Sequence, residues 1–158
     1  MGTCQTIETI EEPRNLSFNK LLVLLDTNFL IYMAQGLIAP SQILETLDYA
    51  YCLLTIAPVK KELEALSKSN KPKLARLAAR ALELLNQLKI TLLDLQLSPE
   101  IKADDAIILT AQHLKKLGFN TLIATCDKSM RRRARALGIP TLYYRESEGI
   151  LETDWVPI

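Results

Sequence analysis

Leu21-Leu22-Val23-Leu24-Leu25, followed at once by Asp26-Thr27-Asn28, is the stretch on which the fold turns. An unbroken run of five apolar residues fits a strand buried on both faces, and such strands belong to parallel sheets covered by helices on either side. Asp26 then emerges at the strand's carboxyl end, the edge at which open α/β sheets bind their ligands. A carboxylate directly after a fully apolar strand is partly desolvated, which is costly unless it is paired or metal-bound.

Outward from this strand the chain alternates strand-like and helix-like segments. A helical stretch over 29–35 is interrupted by Gly36, and Pro40 and Ser41 open a second helix running from Gln42 to about Ala50. Tyr51 to Ile56 reads as the second strand. Pro58 suits the first turn of the next helix, where its missing N–H does no harm, and that helix turns Val59, Leu63 and Leu66 inward. Lys73 to Leu88 is amphipathic, with Leu74, Leu77, Ala78, Ala81, Leu85 and Leu88 on one side. Ile90 to Leu93 is the third strand, Ala103 to Leu117 a helix stopped by Gly118, and Thr121 to Thr125 the fourth strand. Lys128 to Leu137 is a helix stopped by Gly138, and Thr141 to Tyr144 is the fifth strand. Strands separated by helices predict right-handed crossovers, hence a three-layer α/β/α domain around a five-stranded parallel sheet. Residues 1–19 read as a polar lead-in, 20–146 as the domain and 147–158 as a C-terminal tail.

On that frame the acids gather at one rim. Asp26 follows the first strand and Asp127 the fourth. Glu62 lies in the first turns of the helix after the second strand, and Asp104 and Asp105 open the helix that leads into the fourth. Each has a plainer explanation, because acids in a helix's first turn favour the macrodipole and Asp127 suits an N-cap. Asp26 resists that explanation best. Carboxylates brought together repel unless a cation joins them, and an oxygen-only donor set favours Mg²⁺ or Mn²⁺ over zinc. Metal-assisted attack on a phosphodiester is the chemistry such a set most naturally serves.

Composition bounds the rest. The 158 residues suffice for one core, and 49% apolar with 23% charged residues exclude wholesale disorder. A net charge of +1 gives no global attraction to nucleic acid, so attraction must come from local patches. Cys4, Cys52 and Cys126 are an odd set without metal-ligand spacing, which predicts a reducing, cytoplasmic setting. No apolar segment approaches the roughly 20 residues that span a bilayer, and neither a membrane partner nor a secretory signal is expected. Met1-Gly2-Thr3-Cys4-Gln5-Thr6 fits the loose myristoylation pattern, which is short and common by chance. His113, the single histidine, falls in a helix with no partner nucleophile in view.

Four motifs in order, Leu25-Asp26-Thr27-Asn28-Phe29-Leu30-Ile31, Val59-Lys60-Lys61-Glu62-Leu63, Asp104-Asp105-Ala106-Ile107-Ile108 and Ile123-Ala124-Thr125-Cys126-Asp127-Lys128, resemble those of the PIN-domain nucleases. The resemblance runs from about Leu21 to Tyr144. It implies a PIN-like fold and metal-dependent ribonuclease activity, with Asp26, Glu62, Asp105 and Asp127 as the catalytic, metal-binding acids. Asp104 is a neighbouring candidate ligand, since the family motif aligns on the acid before Ala106. Thr27, Asn28 and Thr125 match the polar residues lining such sites. Residues 127–140 with Leu142-Tyr143-Tyr144 resemble single-domain archaeal proteins related to ribosomal-RNA processing nucleases.

RNA is the partner this implies, with Lys128, Arg131, Arg132 and Arg135 on the helix after Asp127 as its phosphate contacts. Arg131 and Arg135 share a face at i,i+4 spacing. The alternative for any charge run is a solvated helix face. A second basic stretch, Lys68 to Arg80, has no place in the groove that the sequence can assign. A toxin ribonuclease with an antitoxin partner, a noncatalytic RNA-binding or protein-interaction module, a homodimer and a ribosome-assembly partner all stay open. A receiver domain fits less well, because its paired acids should follow the first strand.

Overall fold

The computed structural model describes Glu8–Thr9 and residues 16–157; the myristoylation-like hexapeptide and Pro13 lie outside the described residues. The strands are β1 (Glu8–Thr9), β2 (Leu21–Leu25), β3 (Tyr51–Ile56), β4 (Thr91–Asp94), β5 (Thr121–Ala124), β6 (Thr141–Arg145) and β7 (Ile150–Thr153). The helices are α1 (Thr27–Ala34), α2 (Pro40–Leu47), α3 (Ala57–Ser67), α4 (Pro72–Gln87), α5 (Ala103–Lys116) and α6 (Lys128–Ala136).

All five residues of β2 are fully buried, as a strand covered on both faces requires. β2 lies at the centre of the sheet, whose order is β1-β4-β3-β2-β5-β6-β7. It pairs in parallel with β3 through Leu22 and Cys52 on one side, and with β5 through Leu24 and Ile123 on the other. β4 and β6 extend the sheet outward, also in parallel. α3 and α4 pack together and α4 runs against α1, whereas α6 meets α5 and β6. Leu21, Leu24, Phe29, Leu54, Leu63, Ile107 and Leu142 form part of one continuous core.

The architecture is the expected α/β one, but the strand count is not five. β1 adds a parallel strand beside β4, and β7 adds an antiparallel strand beside β6. A two-residue strand is too short to show any period. β7 lies inside the segment expected as a tail, and it pairs with β6 in a hairpin whose turn contains Gly149 at φ 64°. α2 also stops at Leu47 rather than near Ala50, because Asp48 takes the left-handed conformation at φ 49° and ends the helix there.

The C-terminal segment is fastened beyond β7. The Asp154 carboxylate accepts from the Thr141 backbone N–H at 3.0 Å and from the Thr141 hydroxyl at 2.6 Å, and Arg131 and Arg135 approach it at 3.6 and 3.9 Å.

Candidate active site

After β2 the chain builds the sheet toward β3 and β4, then returns to place β5 on β2's other side. The strand order therefore reverses at β2, and a crevice opens beyond the carboxyl ends of β2 and β5. Asp26 and Thr125 occupy those two ends. The Asp26 backbone N–H donates to the Ala124 carbonyl at 3.0 Å, tying them together.

The side chains continue the tie. Asp26 Oδ1 accepts from the Thr27 N–H at 2.7 Å and Oδ2 accepts from the Thr125 hydroxyl at 2.8 Å. Thr125 Oγ1 in turn accepts from the Asp127 N–H at 3.1 Å, and Asn28 Oδ1 accepts from the Cys126 N–H at 3.2 Å. Asp127 Oδ1 accepts from the Ser129 N–H at 2.8 Å and so caps α6. Asp127 therefore caps α6 and, standing at the carboxyl edge of the sheet, also borders the crevice.

Asp26 is 7% exposed. Burial pushes its carboxyl above the usual carboxylate range, the Thr125 hydroxyl and Thr27 N–H pull it down, and the charges of Glu62 and Asp127 push it up again. Beside it the buried Thr27 hydroxyl has no hydrogen-bond partner among the described residues. A desolvated carboxylate with like-charged neighbours and an orphaned oxygen is what a small hard cation would complete.

A cleft of about 1370 Å³ opens over these groups. Asp26, Thr27, Asn28, Glu62, Asp104 and Asp127 line it together. Leu74 brings α4 to its wall, so the helix carrying Arg76 and Arg80 borders the same groove. His113 does not line it. Among the described residues no three acidic, cysteine or histidine side chains stand close enough to hold an ion by themselves. Mg²⁺ keeps several of its waters and is commonly bound through one or two carboxylates, so the residues present still fit it.

Three features escaped sequence reasoning. Asp94, at the end of β4, also lines the cleft; it repeats the signal of Asp26, an acid closing an apolar strand, on a half-buried edge where the signal is weaker. Lys61 and Lys102 bring positive charge to the same lining. Asp105 does not line it: Asp105 Oδ1 accepts from Arg133 Nη2 at 2.7 Å, and Arg133 Nη1 lies 3.7 Å from Asp104 Oδ2.

The arginines of α6 divide between two tasks. Arg131 and Arg135 do share a face, and both reach Asp154; the Arg131 guanidinium also lies 3.3 Å from the centroid of the Tyr143 ring. Lys128 and Arg132 are exposed, with no ion pair among the described residues. Arg131→Gln is therefore expected to cost about 1 kcal/mol of stability, the sum of a partly screened ion pair and a cation–π contact. Arg132→Gln should stay within about 0.5 kcal/mol of the parent. Urea unfolding of both variants measures the difference, and coincident midpoints would remove the structural role of Arg131.

The chain matches the family described as "PIN domain" over residues 23–145. Among solved structures it is similar to the one described as "Structure of the PIN domain endonuclease Utp24", with a TM-score of 0.67 and 24% identity, covering 87% of this chain and 94% of that one. At that identity the likeness carries the fold alone. No curated protein matches the chain.

Proposed function

We infer that this chain, which belongs to the PIN domain family, is a metal-dependent ribonuclease that hydrolyses RNA phosphodiesters in the cleft above Asp26. The observation that carries the reading is Asp26 itself: a carboxylate 7% exposed, raised by burial, with Glu62 and Asp127 adding like charge. A cation beside such a group favours its anionic form.

Asp26, Glu62, Asp127 and the Asp104–Asp105 pair are the acids proposed to hold Mg²⁺ or Mn²⁺. When bound, the metal supplies positive charge beside the scissile phosphate and a water of lowered pKa. Thr125 keeps the Asp26 carboxylate oriented through its 2.8 Å hydrogen bond, and Asn28 fixes the backbone at Cys126. The Thr27 hydroxyl is left to hydrogen-bond a water or a phosphate oxygen. Lys61 and Lys102 in the lining, with Lys128 and Arg132 on α6, attract the RNA backbone locally where a net charge of +1 cannot do so globally. Arg131 and Arg135 add less to that field, because Asp154 partly neutralises them.

The finer reading is processing of precursor ribosomal RNA, which rests on the resemblance of residues 127–144. The similar solved structure is described as an endonuclease, and internal cleavage is the mode proposed here. The test is a Mn²⁺ titration of the purified protein followed by incubation with a structured RNA. Metal at about a hundred times its Kd should raise the melting temperature by roughly 5–10 °C, and RNA should be cut internally only when metal is present. RNA binding without cleavage at any metal concentration would make the chain a noncatalytic module instead.

A further inference from the structure

Arg133 stands apart from its neighbours on α6. It is two residues from both Arg131 and Arg135, about 200° around the helix, so it projects away from Asp154 and toward the start of α5. There it donates to Asp105 at 2.7 Å and approaches Asp104 at 3.7 Å. Asp104 and Asp105 are adjacent like charges, each with a side chain 48% exposed, and Asp104 Oδ1 already accepts from the Asp105 N–H at 2.9 Å. Asp104 lines the cleft and Asp105 does not.

We propose that Arg133 is the resident counter-ion of the Asp104–Asp105 pair, with which a divalent cation competes for these carboxylates, so that Arg133 lowers the metal affinity of the site. This rests on the metal-dependent reading above. The guanidinium occupies an oxygen of Asp105 and places a fixed positive charge at the acids' rim, and both effects oppose a second cation. It also explains why the acid that matches the family motif lies outside the cleft lining: its carboxylate is drawn toward α6. The pair is half-exposed and screened, so the competition is modest and falls as salt rises.

The experiment is calorimetric titration of MnCl₂ into the parent protein, Arg133→Gln, Arg133→Lys and Lys116→Gln at low ionic strength. Lys116→Gln removes the same charge from the far end of α5, about 18 Å away along the helix. Arg133→Gln is expected to tighten Mn²⁺ binding about two- to five-fold, the range that losing one half-exposed ion pair allows. Arg133→Lys, which keeps the charge but not the forked donor, should fall between it and the parent, and Lys116→Gln should match the parent. Arg133→Gln binding no tighter than Lys116→Gln, with the parent binding Mn²⁺ normally, overturns the inference and leaves the metal reading standing. A parent that binds no Mn²⁺ overturns the metal reading and this inference with it.

Discussion

Asp26→Asn is expected to lose RNA cleavage by at least about 100-fold, the scale on which removing one preorganised electrostatic group is felt, while remaining folded. The amide keeps the carboxylate's shape and still accepts from the Thr27 N–H, and the Thr125 hydroxyl oxygen can accept from the new amide N–H. What disappears is a buried charge. In the parent, the Asp26 pKa is raised above its ordinary value of 3.8, with burial as the largest cause. The native state therefore holds this proton at a pH where the unfolded chain has released it. Its contribution to stability is full below pH 3.8 and is lost as pH rises through the folded pKa. Asp26→Asn lacks this dependence. Urea unfolding of the metal-free proteins from pH 4 upward should show the parent losing stability relative to the variant. Parallel curves would mean that Asp26 is not a desolvated anion, and cleavage at the parental rate would remove it from catalysis.

Thr125→Val should cost roughly 2–3 kcal/mol, which is large for a change of nearly constant volume. Thr125 is fully buried, donates to Asp26 Oδ2 and accepts from the Asp127 N–H. Valine fills the space and satisfies neither group, leaving a carboxylate without its side-chain donor and a backbone N–H without its acceptor. Because that donor is the leading influence holding the Asp26 pKa down, the variant's pKa rises further. Its loss of stability with rising pH then extends over a wider window than the parent's. Thr125→Ser keeps the hydroxyl and should recover most of the lost stability. If valine and serine unfold at the same urea concentration, the hydroxyl does not link the two strand ends.

Legible in the sequence is whatever a single segment determines by itself. Leu21 to Leu25 announces a central strand because no polar residue breaks the run, and an acid directly after it has to stand at the sheet's carboxyl edge. Glu62, Asp104 and Asp127 followed from the same logic once a parallel topology was assumed. The failures lie where two segments have to meet. β7 is unremarkable until β6 offers it a partner through the Gly149 turn. The early end of α2 depends on one left-handed Asp48. Nothing in the spacing of α5 and α6 announces that Arg133 reaches Asp105. Arg131 and Arg135 share the face their spacing predicts, but that face holds Asp154, a residue in a segment expected to be peripheral.

β7 changes how this molecule meets others of its kind. A parallel sheet ending at β6 would present an open row of backbone donors and acceptors, the template on which chains stack strand upon strand. Here the outermost strand runs the other way, is only four residues long, and carries Glu152 bound to Arg145 across the hairpin. Short and charged, it is a poor seed for aggregation. β7 thus acts as a gatekeeper of colloidal behaviour at this edge of the sheet.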